Sequence, residues 1–176
     1  MTAFPGLTAG TWTVDPTHAE VGFVARHLMV AKVRGRFTEV SGTVEVGETL
    51  AETSVRAVAS AASVSTNQAD RDGHLRSAGF FDVETYPELT FVSTSVSSDS
   101  MIGDLTIKGV TRSVTFDLEF DGVQADPWGN TKAGFTATTA INRSDWGLTW
   151  NAAIEGGGVL VSDKITITLE VELLKG

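Results

Sequence analysis

The chain has 176 residues, 41% of them hydrophobic and 20% charged, with 22 acidic against 13 basic side chains and a net charge of −9. That length suits one globular domain able to bury a core or enclose a cavity. The acidity argues against sequence-independent nucleic-acid binding and against docking on anionic membranes, since both draw on Lys and Arg; with no cysteine, disulfides, thiolate catalysis and cysteine metal sites are excluded.

Residues 1–10 read as a flexible head, and a single domain is expected over residues 11–176. The head has neither the basic nor the apolar region of a signal peptide. No apolar run approaches the roughly 18–20 residues of a transmembrane helix. A cytoplasmic location is therefore expected, or a periplasmic or secreted one if a signal has been removed.

Thr11–Val14 reads as a short strand, Asp15-Pro16-Thr17 as a turn, and Ala19–Leu28 as a strand with Val21, Phe23, Ala25 and His27 on one face. The apolar run from His27 to Ala31 fits a short helix or a turn. Val33–Phe37 and Thr43–Val46 suggest a hairpin around Ser41-Gly42. Ser54–Val64 is rich in small residues.

Residues 67–91 then break the period-two rhythm. Asn67 can cap a helix carrying Asp70, Asp72, His74 and Arg76, and Gly79 suits its end. The adjacent Phe80 and Phe81 follow, and Pro87 sets up an extended run through Leu89 and Phe91. A short polar helix delivering two aromatics into an otherwise β chain reads as a plug or rim element. Beyond it, Leu89–Val96, Met101–Lys108, Val114–Phe120, Ala133–Asn142 and Ile165–Leu173 alternate as strands, and Trp128 sits at a loop tip. About eight antiparallel strands with one apolar face must close into a barrel or stack as a sandwich. The many small residues favour a barrel with room for a ligand.

No motif announces catalysis. The three histidines lack metal-ligand spacing, no Ser lies in GxSxG, and Gly156–Gly158 lacks the Lys and Ser/Thr of a phosphate loop. Asp70, Asp72 and His74 would be the acid/base group of an enzyme, but Asp70/His74 and Asp72/Arg76 are also ordinary i,i+4 pairs of a solvated helix. Trp146, Leu148 and Trp150, alternating as in a strand, would form an apolar strip suited to a chain-like ligand. A third reading is a stress-response module acting through its surface around Trp128, in keeping with a homodimer.

Three blocks, WTVDPTHAEVGFVARHLMVAKVRGRF from Trp12, RDGHLRSAGFFDVETYPELTF from Arg71, and GDLTIKGVTRSVTF with INRSDWGL, resemble the YceI family of lipocalin-like, polyisoprenoid-binding proteins. The resemblance spans nearly the whole chain. Ala19 stands where Ser is common after the histidine, and Trp146 where Phe is usual. The resemblance implies an all-β, antiparallel lipocalin-like barrel of about eight strands with one short central helix near its mouth. It implies non-enzymatic binding or carriage of a long-chain isoprenoid, an isoprenoid quinone or a related fatty lipid. No cofactor or metal is required, and the partner is a lipid-like small molecule. Carried over by position, the pocket residues are Val21, Phe23, His27, Met29, Phe37, Phe80, Phe81, Phe91, Trp146 and Leu148. His27 would face the ligand's polar head or a buried water.

Overall fold

A computed structural model of the chain describes residues 4–27, 30–149 and 161–176, with His27 defined by its backbone alone. Among the described residues ten strands and one α-helix follow one another: β1 (Gly10–His27), β2 (Ala31–Phe37), β3 (Val40–Val46), β4 (Ser54–Ser60), β5 (Val64–Ser65), α1 (Ala69–Arg76), β6 (Glu88–Val96), β7 (Ser100–Ile107), β8 (Val110–Ala125), β9 (Thr131–Asn142) and β10 (Lys164–Lys175). β10 pairs with β1, which closes the sheet into an antiparallel barrel through β1, β3, β4, β6, β7, β8, β9 and β10. Closure removes the sheet edges that an open sheet of this length would expose.

The alternation read in the sequence becomes the inside and outside of this barrel. In β8, Val114 and Phe116 are buried while Thr115, Asp117 and Glu119 are exposed. Three local expectations change. Asp15-Pro16-Thr17 does not end a strand. It forms an irregularity inside the 18-residue β1, where the pairing with β10 skips from Val14 to Ala19. Asp15 folds back there to accept from the Thr17 amide and hydroxyl, the local bond that makes Asp a turn former.

The hairpin expected around Ser41-Gly42 is also absent. β2 and β3 lie end to end along the same edge of β1, with Val21 opposite Phe37 and Thr13 opposite Thr43. Ser41 and Gly42 instead pair with Val58 and Ala57 of β4. β1 ends at His27 and β2 begins antiparallel to it at Ala31, while Leu28 and Met29 of the run expected to form a helix or turn lie outside the described residues.

The supposed loose head is packed from Phe4 onward. Phe4 and Leu7 are buried, and the Phe4 ring lies 5.3 Å from Phe120 and 5.2 Å from Phe135. Fully buried Trp12 donates its indole N–H to the Thr8 carbonyl. This segment therefore fills one end of the barrel with side chains, and α1 lies towards the other.

Candidate ligand-binding cavity

Above the Phe4–Trp12 packing the interior is not filled. A cavity of about 530 Å³ runs along the inward faces of β1, β6, β7 and β10 towards α1. Its wall is almost wholly hydrocarbon: Val21, Phe23, Leu89, Phe91, Leu105, Ile107, Ile165, Ile167 and Leu169 all border it. Small residues create the space, since Ala57 and Ala59 of β4 and Ala25 of β1 line it with single methyl groups. Two glycines create it indirectly. The Phe23 ring lies over Gly35 and the Phe91 ring over Gly103, each occupying the place a Cβ would take. Polar lining gathers at the α1 end, where Thr66, Gln68, Asp70, Arg71 and His74 border the cavity.

Helix α1 is held there by side chains from its own ends. The N-cap is Gln68, which accepts from the Arg71 amide, rather than Asn67, whose φ of 61° places it in the left-handed region just before. Asp72 turns inward and accepts from the Thr66 amide and hydroxyl. Arg71 donates to the Thr66 hydroxyl and carbonyl, and Arg76 to the Ala62 carbonyl. Asp72 and Arg76 thus serve tertiary contacts and not the i,i+4 pairing their spacing suggested. The chain leaving the helix folds back at once, with the Phe81 amide donating to the Leu75 carbonyl. That reversal sets Phe80 and Phe81 edge-to-face at 4.9 Å, with Phe81 a further 5.8 Å from Phe37. Both phenylalanines border the cavity.

The residues carried over from the resemblance divide clearly. Val21, Phe23, Phe37, Phe80, Phe81, Phe91 and Leu148 converge on the cavity. Met29, Trp150 and Gly156–Gly158 lie outside the described residues, as does the His27 side chain. Trp146 is buried but does not border the cavity, because Arg143–Trp146 winds into a 3₁₀ turn and breaks the expected strand strip. Its indole N–H donates to the Leu105 carbonyl at 2.9 Å, so the ring braces the wall from behind.

The residue that spacing did not single out is Arg143. It is 3% exposed, borders the cavity, and sits 6.0 Å from the Phe80 ring centroid. Its guanidinium donates to the carbonyls of Leu148 (2.6 Å), Ser162 (3.0 Å) and Val161 (3.2 Å). Burial pushes its pKa below the usual value, partly offset by Asp163. The available signal was its place in the INRSDWGL block, directly after β9.

One polar cluster lies outside the cavity. Ligand atoms of Asp15, His18 and Glu172 fall within 4.8 Å of one another. Lys132 already supplies positive charge there, 3.0 Å from Asp15 and 3.3 Å from Glu172. The cluster is a salt-bridged brace between β1, β9 and β10.

A family model for the YceI-like domain matches residues 12–173. The chain belongs to the YceI-like domain family. Among its relatives, a UPF0312 protein of Staphylococcus aureus (strain MSSA476) is 38% identical over 164 residues, 92% of this chain and 95% of that one. The crystal structure of the Campylobacter jejuni YceI protein matches with a TM-score of 0.71 at 31% identity, covering 86% of this chain and 90% of that one. A polyisoprenoid binding domain from Saccharophagus degradans matches with a TM-score of 0.73, covering 94% and 98%. At 17% identity that likeness shows a shared fold. No helix among the described residues is long and apolar enough to cross a membrane.

Proposed function

We propose that this YceI-like protein binds and carries a single extended hydrocarbon chain, such as an isoprenoid, an isoprenoid quinone or a related fatty lipid, inside its barrel. The observation that carries the reading is the mostly hydrocarbon-lined cavity of about 530 Å³, with most of its polar lining at the α1 end. That volume lies within the roughly 300–1,000 Å³ of small-molecule sites. Each five-carbon unit removed from water contributes roughly 3–4 kcal/mol gross, at about 0.8 kcal/mol per CH₂. A few units therefore exceed the cost of immobilising a flexible chain. The Saccharophagus degradans neighbour, a polyisoprenoid binding domain on the same fold, supports the ligand class.

Binding of this kind asks for no nucleophile or general base. Asp72, one of the three residues of the acid/base alternative, is buried and accepts two hydrogen bonds from Thr66, a structural use of that carboxylate. The test is native mass spectrometry of protein purified without detergent, before and after incubation with polyprenyl alcohols. A complex carrying one chain per protein is expected. Unliganded protein in both preparations would overturn the reading.

A further inference from the structure

Net charge argues against an anionic partner, yet the charge is not evenly spread. The stretch from Val21 to Thr38 holds four of the chain's 13 basic residues, Arg26, Lys32, Arg34 and Arg36, and none of its 22 acidic ones. The β1–β2 pairing places these cations together. Lys32 lies opposite Arg26, Arg34 opposite Val24 and Arg36 opposite Gly22. The odd-numbered residues of the same strands, Val21, Phe23, Ala25, Val33 and Phe37, line the cavity, so the even-numbered ones face outward. All four cations are exposed, and exposed Lys164 of β10 extends the patch two residues before Thr166, the partner of Val24. Among the described residues, none of these five side chains makes an ion pair or a hydrogen bond. Like charges opposite one another, as in Arg26 and Lys32, destabilise a sheet, so sheet stability does not explain the patch.

We infer that the outer face of the β1–β2 hairpin is a docking surface for an anionic lipid bilayer. Two further observations favour a bilayer over an acidic protein or a nucleic acid. Val30, in the turn joining the two strands, is 82% exposed, an apolar contact beside the cations that suits the headgroup–acyl boundary. The same two strands form part of the cavity wall. Docking here would bring the cavity of the proposed lipid carrier against the membrane from which a chain is drawn or to which it is delivered; this choice of partner rests on that reading.

The test is flotation of the full chain with phosphatidylcholine vesicles, with and without phosphatidylglycerol, at low and high salt. Binding is expected only to the anionic vesicles and is expected to weaken with salt. Arg34→Gln should lower partition roughly fivefold, and the double variant Lys32→Gln/Arg34→Gln about thirtyfold, following the contribution of each basic residue near an anionic surface. Arg56→Gln, on the outside of β4, should leave it unchanged. The chain content of the cavity, read by native mass spectrometry, should be unaffected in all of them, which separates this inference from the carrier reading. No partition into anionic vesicles, or equal losses from Arg34→Gln and Arg56→Gln, would overturn it. So would retention by RNA without vesicle binding. Variants that aggregate while their soluble fraction partitions normally would reduce the cations to guards of the β2 edge and would also overturn it.

Discussion

Asp72 and Thr66 are bonded twice, the carboxylate accepting from the Thr66 amide at 2.8 Å and from its hydroxyl at 2.5 Å. Both residues are buried, and the pair fixes helix α1 to the chain leaving β5. Asp72→Ala would leave the Thr66 amide without its acceptor. The expected loss is about 1–3 kcal/mol, the usual penalty for stranding a buried polar group, read as a lower urea midpoint. Because α1 supplies the polar end of the cavity, faster release of bound chain should accompany it. Unchanged stability would show that the helix is held by its other contacts.

Asp15 carries the pH dependence. Its hydrogen bond from the Thr17 hydroxyl, aided by Lys132 and the Thr17 amide and opposed by burial, lowers its pKa from 3.8 to about 2. A carboxylate with a depressed native pKa stabilises the fold above its unfolded value and loses that contribution as pH falls through the native one. The thermal midpoint should therefore carry an Asp15-dependent decline between about pH 4 and pH 2. Asp15→Asn should remove that part of the decline and lower the midpoint at neutral pH. An identical pH profile in the variant would contradict the assignment.

Gly35 makes room for the outer end of the Phe23 ring, because a Cβ there would collide with it. Gly35→Ala should push the ring into the cavity. The expected cost is about 1–3 kcal/mol of stability, the range for overpacking, together with weaker binding of the longest chains. Gly73→Ala is the control, since a Cβ there meets nothing within 4 Å. Equal binding by both variants would show that Phe23 does not limit the cavity.

Trp146 bears on the stability of the wall and not on the volume it encloses. Trp146→Phe should cost about 1–3 kcal/mol by leaving the Leu105 carbonyl without its donor, while chain affinity stays within twofold or so of the parent. A large change in affinity would place the indole in contact with ligand.

The inward faces of β8 and β10 were legible because a half-buried strand must alternate, and Val114-Phe116-Leu118-Phe120 and Ile165-Ile167-Leu169 do so without interruption, whereas the choice of a barrel over a sandwich came from the small residues and the resemblance. The β2–β3 arrangement was not legible. Whether residues around Ser41-Gly42 turn or continue depends on the β1 edge, more than 20 residues away, and no local propensity records that pairing. Asn67 and Gln68 are both polar residues before a helix, and only the left-handed backbone of Asn67 decides which one caps it. Phe4 and Leu7 show no period because they enter a finished barrel end and form no strand. In the candidate site, Phe80 and Phe81 stood out as the pair following the helix, and the other aromatics were assigned to the pocket through the resemblance. Arg143 was missed because its role lies in three carbonyls that become neighbours only after folding. The basic face of β1–β2 was hidden by a net charge that averages over the whole molecule.

The central claim is that the barrel interior accommodates a hydrocarbon chain, and its most direct test is the affinity of one purified preparation for isoprenoid alcohols of increasing length. Dissociation constants should fall steeply with each added unit and then level off when the cavity of about 530 Å³ is full. Ala59→Trp, which fills part of that space, should bring the plateau to shorter chains. Affinities that do not vary with chain length, in the parent and the variant alike, would contradict it.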